Sequence, residues 1–146
     1  MTRRGRRKRV LLDTGPIYGL LDSKDQWYQS AGKLFEQLED EDADVIAAYP
    51  ALLETHRLLL SRARVPVPHI HTLIEGAFNA FGILYPVEAD GQAARASLKR
   101  FNDQKISLTD ATVASMAVRE GMFVATFDVR HFGLMGATVY PFDEAL

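Results

Sequence analysis

Cysteine is absent from the chain. That excludes disulfides, thiolate metal sites and cysteine nucleophiles, and it suits a reducing compartment such as the cytoplasm. Long apolar runs are missing too. None approaches the roughly 20 residues that a membrane-spanning helix needs, so a soluble protein with no membrane attachment is expected. The basic N-terminus is followed by no apolar stretch ending in a small-residue cleavage site, and no signal peptide is read there. Internal repeats are lacking, and so is any low-complexity segment beyond that basic stretch. What remains is 146 residues, 47% hydrophobic and 25% charged, which is the size and composition of one globular domain.

The formal net charge of −2 conceals a division. Arg3, Arg4, Arg6, Arg7, Lys8 and Arg9 place six cations within seven residues, with no acid among them. Six of the 17 basic side chains therefore sit in this arm, leaving 11 against 19 acids and a body of net charge −8. The expected organisation is a basic, flexible arm over residues 1–9 and a single domain over 10–146. Cations so clustered suit sequence-independent contact with a phosphate backbone, although a merely solvated terminus has the same composition.

Short apolar runs alternate with helical patterns through the rest of the chain. Val10-Leu11-Leu12 reads as a buried strand, ended by the turn Asp13-Thr14-Gly15-Pro16, with Pro16 opening a short helix. Asp25 is placed to cap a second helix whose inward positions are Trp27, Ala31, Leu34, Phe35 and Leu38, and residues 39–44 form an acidic loop. Val45 to Ala48 makes a second strand, and Pro50 opens a helix with Leu52, Leu53, Leu59 and Leu60 inward. A further helix through Ile70 to Phe81 follows Pro66 and Pro68. The third strand is Ile83 to Val87, where Pro86 marks an end or an edge. Helices over 89–101 and 109–121, a strand over 123–126 and a last one over 138–140 complete the pattern. This alternation predicts an α/β protein: a three-layer α/β/α sandwich with a mostly parallel central sheet of four to five strands.

Such a topology brings distant residues to one edge. When every strand points the same way, the C-terminal strand ends and the following helix N-termini share a rim, where ligands bind. Asp13 follows the first strand, Glu54 lies about one turn into the helix after the second, Asp110 opens the helix before the fourth, and Asp128 follows that fourth strand. Each acid has an ordinary local reading as well. Asp13 and Asp128 are candidate turn or cap residues, Asp110 forms a capping-box pattern with Ser107, and Glu54 suits a solvated helix face. Together they form a less ordinary set. Two like charges about 4 Å apart repel by about 4 kcal/mol at an effective dielectric near 20, so converging carboxylates call for protons or a bound cation. With no cysteine and no histidine in a ligand-like pair with these acids, oxygen ligands dominate, which favours Mg²⁺ or Mn²⁺. Such a site suits metal-assisted hydrolysis of a phosphodiester.

At these residues the sequence resembles the PIN-domain ribonucleases, and its size and layout are similar to those of VapC-type toxins of bacterial toxin–antitoxin pairs. The matching pieces are Val10 to Pro16, Leu53-Glu54, Leu108 to Ala111, and Val124 to Phe132, in this order. The resemblance implies a Mg²⁺-dependent endoribonuclease. Asp13 and Asp110 would be the principal ligands, and Glu54 and Asp128 would complete the shell or orient the attacking water. Thr14 and Thr126 match hydroxyl positions that support the acids. Many relatives carry a further acid shortly after the fourth, where this chain has Arg130-His131; Arg130 joins the arm as a candidate RNA contact. The resemblance further implies an antitoxin that occludes the cleft, a homodimer, an RNA substrate and a cytoplasmic location.

Other readings compete. Asp13-Thr14-Gly15 resembles the aspartic-protease signature, but that fold is built mostly of strands and needs two such motifs. A phosphate-transferring hydrolase with an aspartate nucleophile carries a second aspartate two residues on, where Gly15 stands here. A phospho-acceptor domain places its acceptor after a middle strand. A non-catalytic nucleic-acid- or protein-binding module of the same fold, or a PIN-type RNA-processing nuclease outside any toxin–antitoxin pair, also fits the elements. Trp27, Tyr28 and Tyr49 are candidates for stacking on bases, with helical spacing assigning Trp27 to the core. The apolar helices around 52–60 and 70–81 offer a partner surface, although core packing accounts for most of their residues.

Overall fold

A computed structural model describes residues 7–142. Five strands are found among them: β1 (Arg9–Leu12), β2 (Asp44–Ala48), β3 (Gly82–Leu84), β4 (Phe123–Ala125) and β5 (Thr138–Val139). They form one sheet in the order β3-β2-β1-β4-β5, and every neighbouring pair is parallel. The chain therefore builds outward from β1 through β2 to β3, then returns to the other side of β1 for β4 and β5. That reversal opens a crevice at the C-terminal ends of β1 and β4, the place where open α/β sheets bind ligands.

Val10, Leu11 and Leu12 have no solvent exposure. Successive strand residues point to opposite faces, so β1 must be covered on both sides. The cover comes from α1 (Thr14–Leu21), α2 (Tyr28–Asp40), α3 (Tyr49–Arg62), α4 (Val67–Ala80), α5 (Glu88–Arg100), α6 (Leu108–Glu120) and the short α7 (Val129–Leu134). The main core gathers β1 with Ile17, Leu34, Leu38, Leu52, Val113, Met116, Val124 and Phe132. A smaller cluster of Tyr18, Leu59 and Ile70 joins α1, α3 and α4, and a third of Ala94, Ile106 and Ala111 joins α5 to α6. No helix among the described residues is long and apolar enough to cross a membrane.

Several local expectations are corrected. Trp27 lies outside α2, as its N-cap residue, and belongs to none of the core clusters. Asp25 caps no helix; its carboxylate accepts the Trp27 N–H at 3.1 Å in the preceding turn. The acidic loop is shorter than its composition suggests, because α2 runs on to Asp40 and β2 already begins at Asp44. Strand β3 stops at Leu84, two residues before Pro86, and lies at the sheet edge. Helix α7, absent from the sequence pattern, is six residues long and has too few turns to show a period. Arg9, assigned to the arm, is the first residue of β1. Arg3, Arg4 and Arg6 lie outside the described residues.

Candidate active site

The pairing of β1 with β4 sets the centre of the site. Leu12 pairs with Ala125, and the Asp13 N–H donates to the Ala125 carbonyl at 3.0 Å. The ladder thus carries one residue past the strand ends and brings Asp13 beside Thr126. The Thr126 hydroxyl donates to Asp13 Oδ2 at 2.8 Å and accepts the Asp128 N–H at 3.0 Å. One side chain ties the acid after β1 to the backbone of the acid after β4, across 113 positions of sequence.

Asp13 occupies the N-cap of α1, where an aspartate ordinarily spends its carboxylate on the exposed helix N–H groups. Here it makes no side-chain cap hydrogen bond. Among the described residues, two buried side-chain oxygens have no hydrogen-bond partner: Asp13 Oδ1 and Thr14 Oγ1. Such orphans are uncommon in folded proteins, and adjacent ones at a ligand-binding edge mark a place kept for something else. The Asp13 carboxyl is raised to about 7, chiefly by burial and then by the nearby Asp110 charge, with Glu54 adding a little and the Thr126 hydroxyl and Thr14 N–H working the other way.

Asp110 lies in the first turn of α6, whose N-cap Ser107 accepts the Asp110 N–H at 3.0 Å. Its carboxyl is likewise raised, first by burial and then by Glu54 and Asp128. Glu54 projects from the second turn of α3, half-buried. Asp128 is the N-cap of α7 and accepts the His131 N–H at 3.5 Å, so its capping role is partly realised. Its Oδ2 also lies 2.9 Å from His131 Nδ1.

All four acids line one open cleft of about 300 Å³, together with Thr14, Gly15, Trp27 and Phe127. Among the described residues, no three His, Asp or Glu side chains stand close enough to grip a metal ion at once. The four carboxylates share a cleft without converging on a point. The donor set still fits a hard cation. It is all oxygen, it concentrates negative charge, and Asp13 Oδ1 is free of other obligations.

The remaining predicted residues divide. Arg130 reaches Gln104 Oε1 at 2.9 Å from α7, beside Asp128. Arg7, Lys8 and Arg9 pair with Asp42, Glu41 and Glu120. They sit at the N-terminal end of β1, with Arg9 about 13 Å from Asp13 at the usual strand rise of about 3.3 Å per residue and Lys8 and Arg7 before it. The structure therefore places these three cations away from the cleft. Trp27 and Phe127 are cleft residues that helical spacing did not reveal. Phe127 had a positional signal, standing between Thr126 and Asp128. The bond from His131 to Asp128 needed the fold of α7.

No protein-family model matches the sequence, and comparison with curated proteins gives no match. Solved structures do match. VapC20 of Mycobacterium tuberculosis, a sarcin-ricin loop cleaving toxin, superposes with a TM-score of 0.72 at 19% identity, covering 92% of this chain and 97% of its own. VapBC2 of Rickettsia felis, bound to a promoter DNA fragment, gives 0.71 at 13% identity over 92% and 99%. FitAcB of Neisseria gonorrhoeae gives 0.62 at 22% identity over 90% and 96%. Across nearly its whole length, this chain has the PIN-like fold of the VapC toxins.

Proposed function

We propose that this chain is a Mg²⁺-dependent endoribonuclease, the toxin of a type II toxin–antitoxin pair, acting in the cytoplasm on RNA. The observation that carries the reading is the unpartnered, buried Asp13 Oδ1 in a cleft that three further carboxylates line. The shared fold with a sarcin-ricin loop cleaving toxin supports it.

Asp13 and Asp110 would hold the cation, with Glu54 and Asp128 completing the shell through water ligands; Mn²⁺ suits the same donors. When bound, the ion lowers the pKa of a water ligand and offsets charge on the phosphodiester. The protein's own part is preparation. Thr126 fixes one oxygen of Asp13, leaves the other without a partner, and accepts the backbone N–H of Asp128. Burial excludes water from Asp13, which strengthens its attraction for a cation. The N-terminus of α6 supports the carboxylate of Asp110.

An antitoxin partner is proposed from the toxin–antitoxin complexes among the similar structures. Leu53 and Leu60 on α3, expected inward, are instead exposed, and with Val67 on α4 they offer apolar surface for it or for a second copy in a homodimer.

The test is cleavage of defined RNAs with Mg²⁺, with Mn²⁺ and with chelator, by the intact chain and by Asp13→Ala and Asp110→Asn. Metal-dependent cleavage should vanish in both variants. Cleavage that survives chelation, or a variant that still cuts, would overturn the assignment.

A further inference from the structure

We propose that the stacked rings of Trp27 and Phe127 form a base-binding wall of the acidic cleft, which receives a nucleobase of single-stranded RNA next to the reacting phosphate. The proposal rests on the nuclease reading and names how that site holds its substrate.

The rings lie with centroids 4.8 Å apart at an interplanar angle of 20°. Both are partly exposed, and both line the cleft with Asp13, Glu54, Asp110 and Asp128. Trp27 is the single tryptophan of the chain, yet it contributes to no core cluster. Local structure does not call for it either. It occupies the N-cap of α2 without any side-chain cap hydrogen bond, where Ser, Thr, Asp or Asn would be favoured.

The surrounding residues hold the pair in place. The Asp25 carboxylate accepts the Trp27 N–H, and the Trp27 carbonyl accepts from Ala31 at 2.8 Å. Gly19 lets that carbonyl approach, since a Cβ there would stand 3.1 Å from it. On the other side, a Cβ on Gly15 would meet Phe127 Cδ2 at 3.3 Å, so the missing side chain makes room for the ring beside the catalytic turn. Phe127 is also bracketed by Thr126 and Asp128, whose backbone and side chains are tied together.

The chemistry of the cleft requires such a wall. Four carboxylates repel a phosphate backbone, and Arg7, Lys8 and Arg9 are paired at the other end of β1. Stacking supplies attraction independent of charge, and an aromatic face accepts any base that is already unstacked. The wall therefore favours loops and single strands over duplex.

The experiment uses the full chain carrying Asp110→Asn, in Mg²⁺, with a ten-nucleotide single-stranded RNA of randomised sequence and its abasic ribose-phosphate counterpart. Label anisotropy on the oligomer reports binding, and Trp27 emission reports contact, because no other tryptophan contributes. The base-containing RNA should quench Trp27 in step with anisotropy. The abasic oligomer should bind about tenfold more weakly and leave the emission unchanged. Added to Asp110→Asn, Phe127→Leu should weaken only the base-containing RNA, with circular dichroism melts confirming the fold. Trp27→Phe should retain more affinity than Trp27→Ala. Equal binding of both oligomers with unchanged Trp27 emission would overturn the wall and leave the nuclease reading standing. Failure of either oligomer to bind, together with no cleavage by the intact chain, would overturn both.

Discussion

Replacing Asp13 with Asn tests the electrostatic account most directly. In metal-free protein the Asp13 carboxyl is pushed up to about 7 from an ordinary 3.8, chiefly by burial and then by Asp110. At about 1.4 kcal/mol per pH unit, that rise corresponds to about 4 kcal/mol. The folded state holds this proton to higher pH than the unfolded chain does. The contribution to stability is therefore fully present below about pH 4, is lost progressively as pH rises toward 7, and stays lost above it. Asn is nearly isosteric, carries no charge and can still accept from Thr126. The variant should match the parent near pH 4 and exceed it by up to about 4 kcal/mol at pH 8. Urea unfolding in chelator, followed by circular dichroism at several pH values, measures the difference; titrating groups away from the cleft cancel between the two proteins, while Asp110 and Glu54, which share the cleft with Asp13, add to it. Adding Mg²⁺ should then stabilise the parent alone, by about 2.7 kcal/mol at a hundredfold excess over Kd. Parallel pH profiles for the two proteins, or an Asn variant less stable at pH 8, would refute the reasoning.

Other outcomes follow from the same structure. Thr126→Val removes the donor that counteracts the rise at Asp13 and orphans the Asp128 N–H, so it should cost about 1–3 kcal/mol and move the pH midpoint of metal-free stability upward. An unchanged midpoint in the same unfolding series would contradict this. Arg119→Ala strands the carboxylate of Asp90, which is 2% exposed, accepts from Arg119 Nε and Nη2, and also takes the Val87 N–H at the start of α5. The expected loss is about 2 kcal/mol, below the range for a fully buried pair because water reaches the guanidinium. Denaturant midpoints measure it. Gly121→Ala forces a Cβ onto the left-handed C-cap of α6, at φ 64°, and should lower stability by about 1 kcal/mol without changing cleavage. A thermal melt paired with an RNA assay checks both halves.

The Asp128–His131 contact separates this cleft from a plain ring of acids. His131 stands where the resemblance led one to look for a further carboxylate, and its Nδ1 lies against Asp128 Oδ2. Both oxygens of the fourth acid are thus engaged within the protein, Oδ1 by the His131 N–H and Oδ2 by its ring, whereas Asp13 keeps one without a partner. The four carboxylates are unequal: Asp13 is buried and unpartnered on one side, Asp110 is supported by a helix start, and Asp128 is tethered.

By itself the sequence determined what depends on neighbours along the chain. Val10 to Leu12 is apolar on both faces, which only a covered central strand explains, and turn residues after β1 and β4 placed Asp13 and Asp128 at the same rim. Parallel connectivity then brought Glu54 and Asp110 there, because strand direction is a rule of chain geometry rather than of side-chain detail. Tertiary structure decided everything that turns on register and direction across the sheet. The pairing of Leu12 with Ala125 sets Thr126 against Asp13, which engages Oδ2 and leaves Oδ1 without a partner. It also moved Trp27 from an expected core position to the cleft wall, and placed Arg7, Lys8 and Arg9 on acids at the opposite rim. Periodicity reports which side of an element avoids water. It carries no information on which distant group a polar side chain will meet, since that is settled only when the strands align and the helices pack.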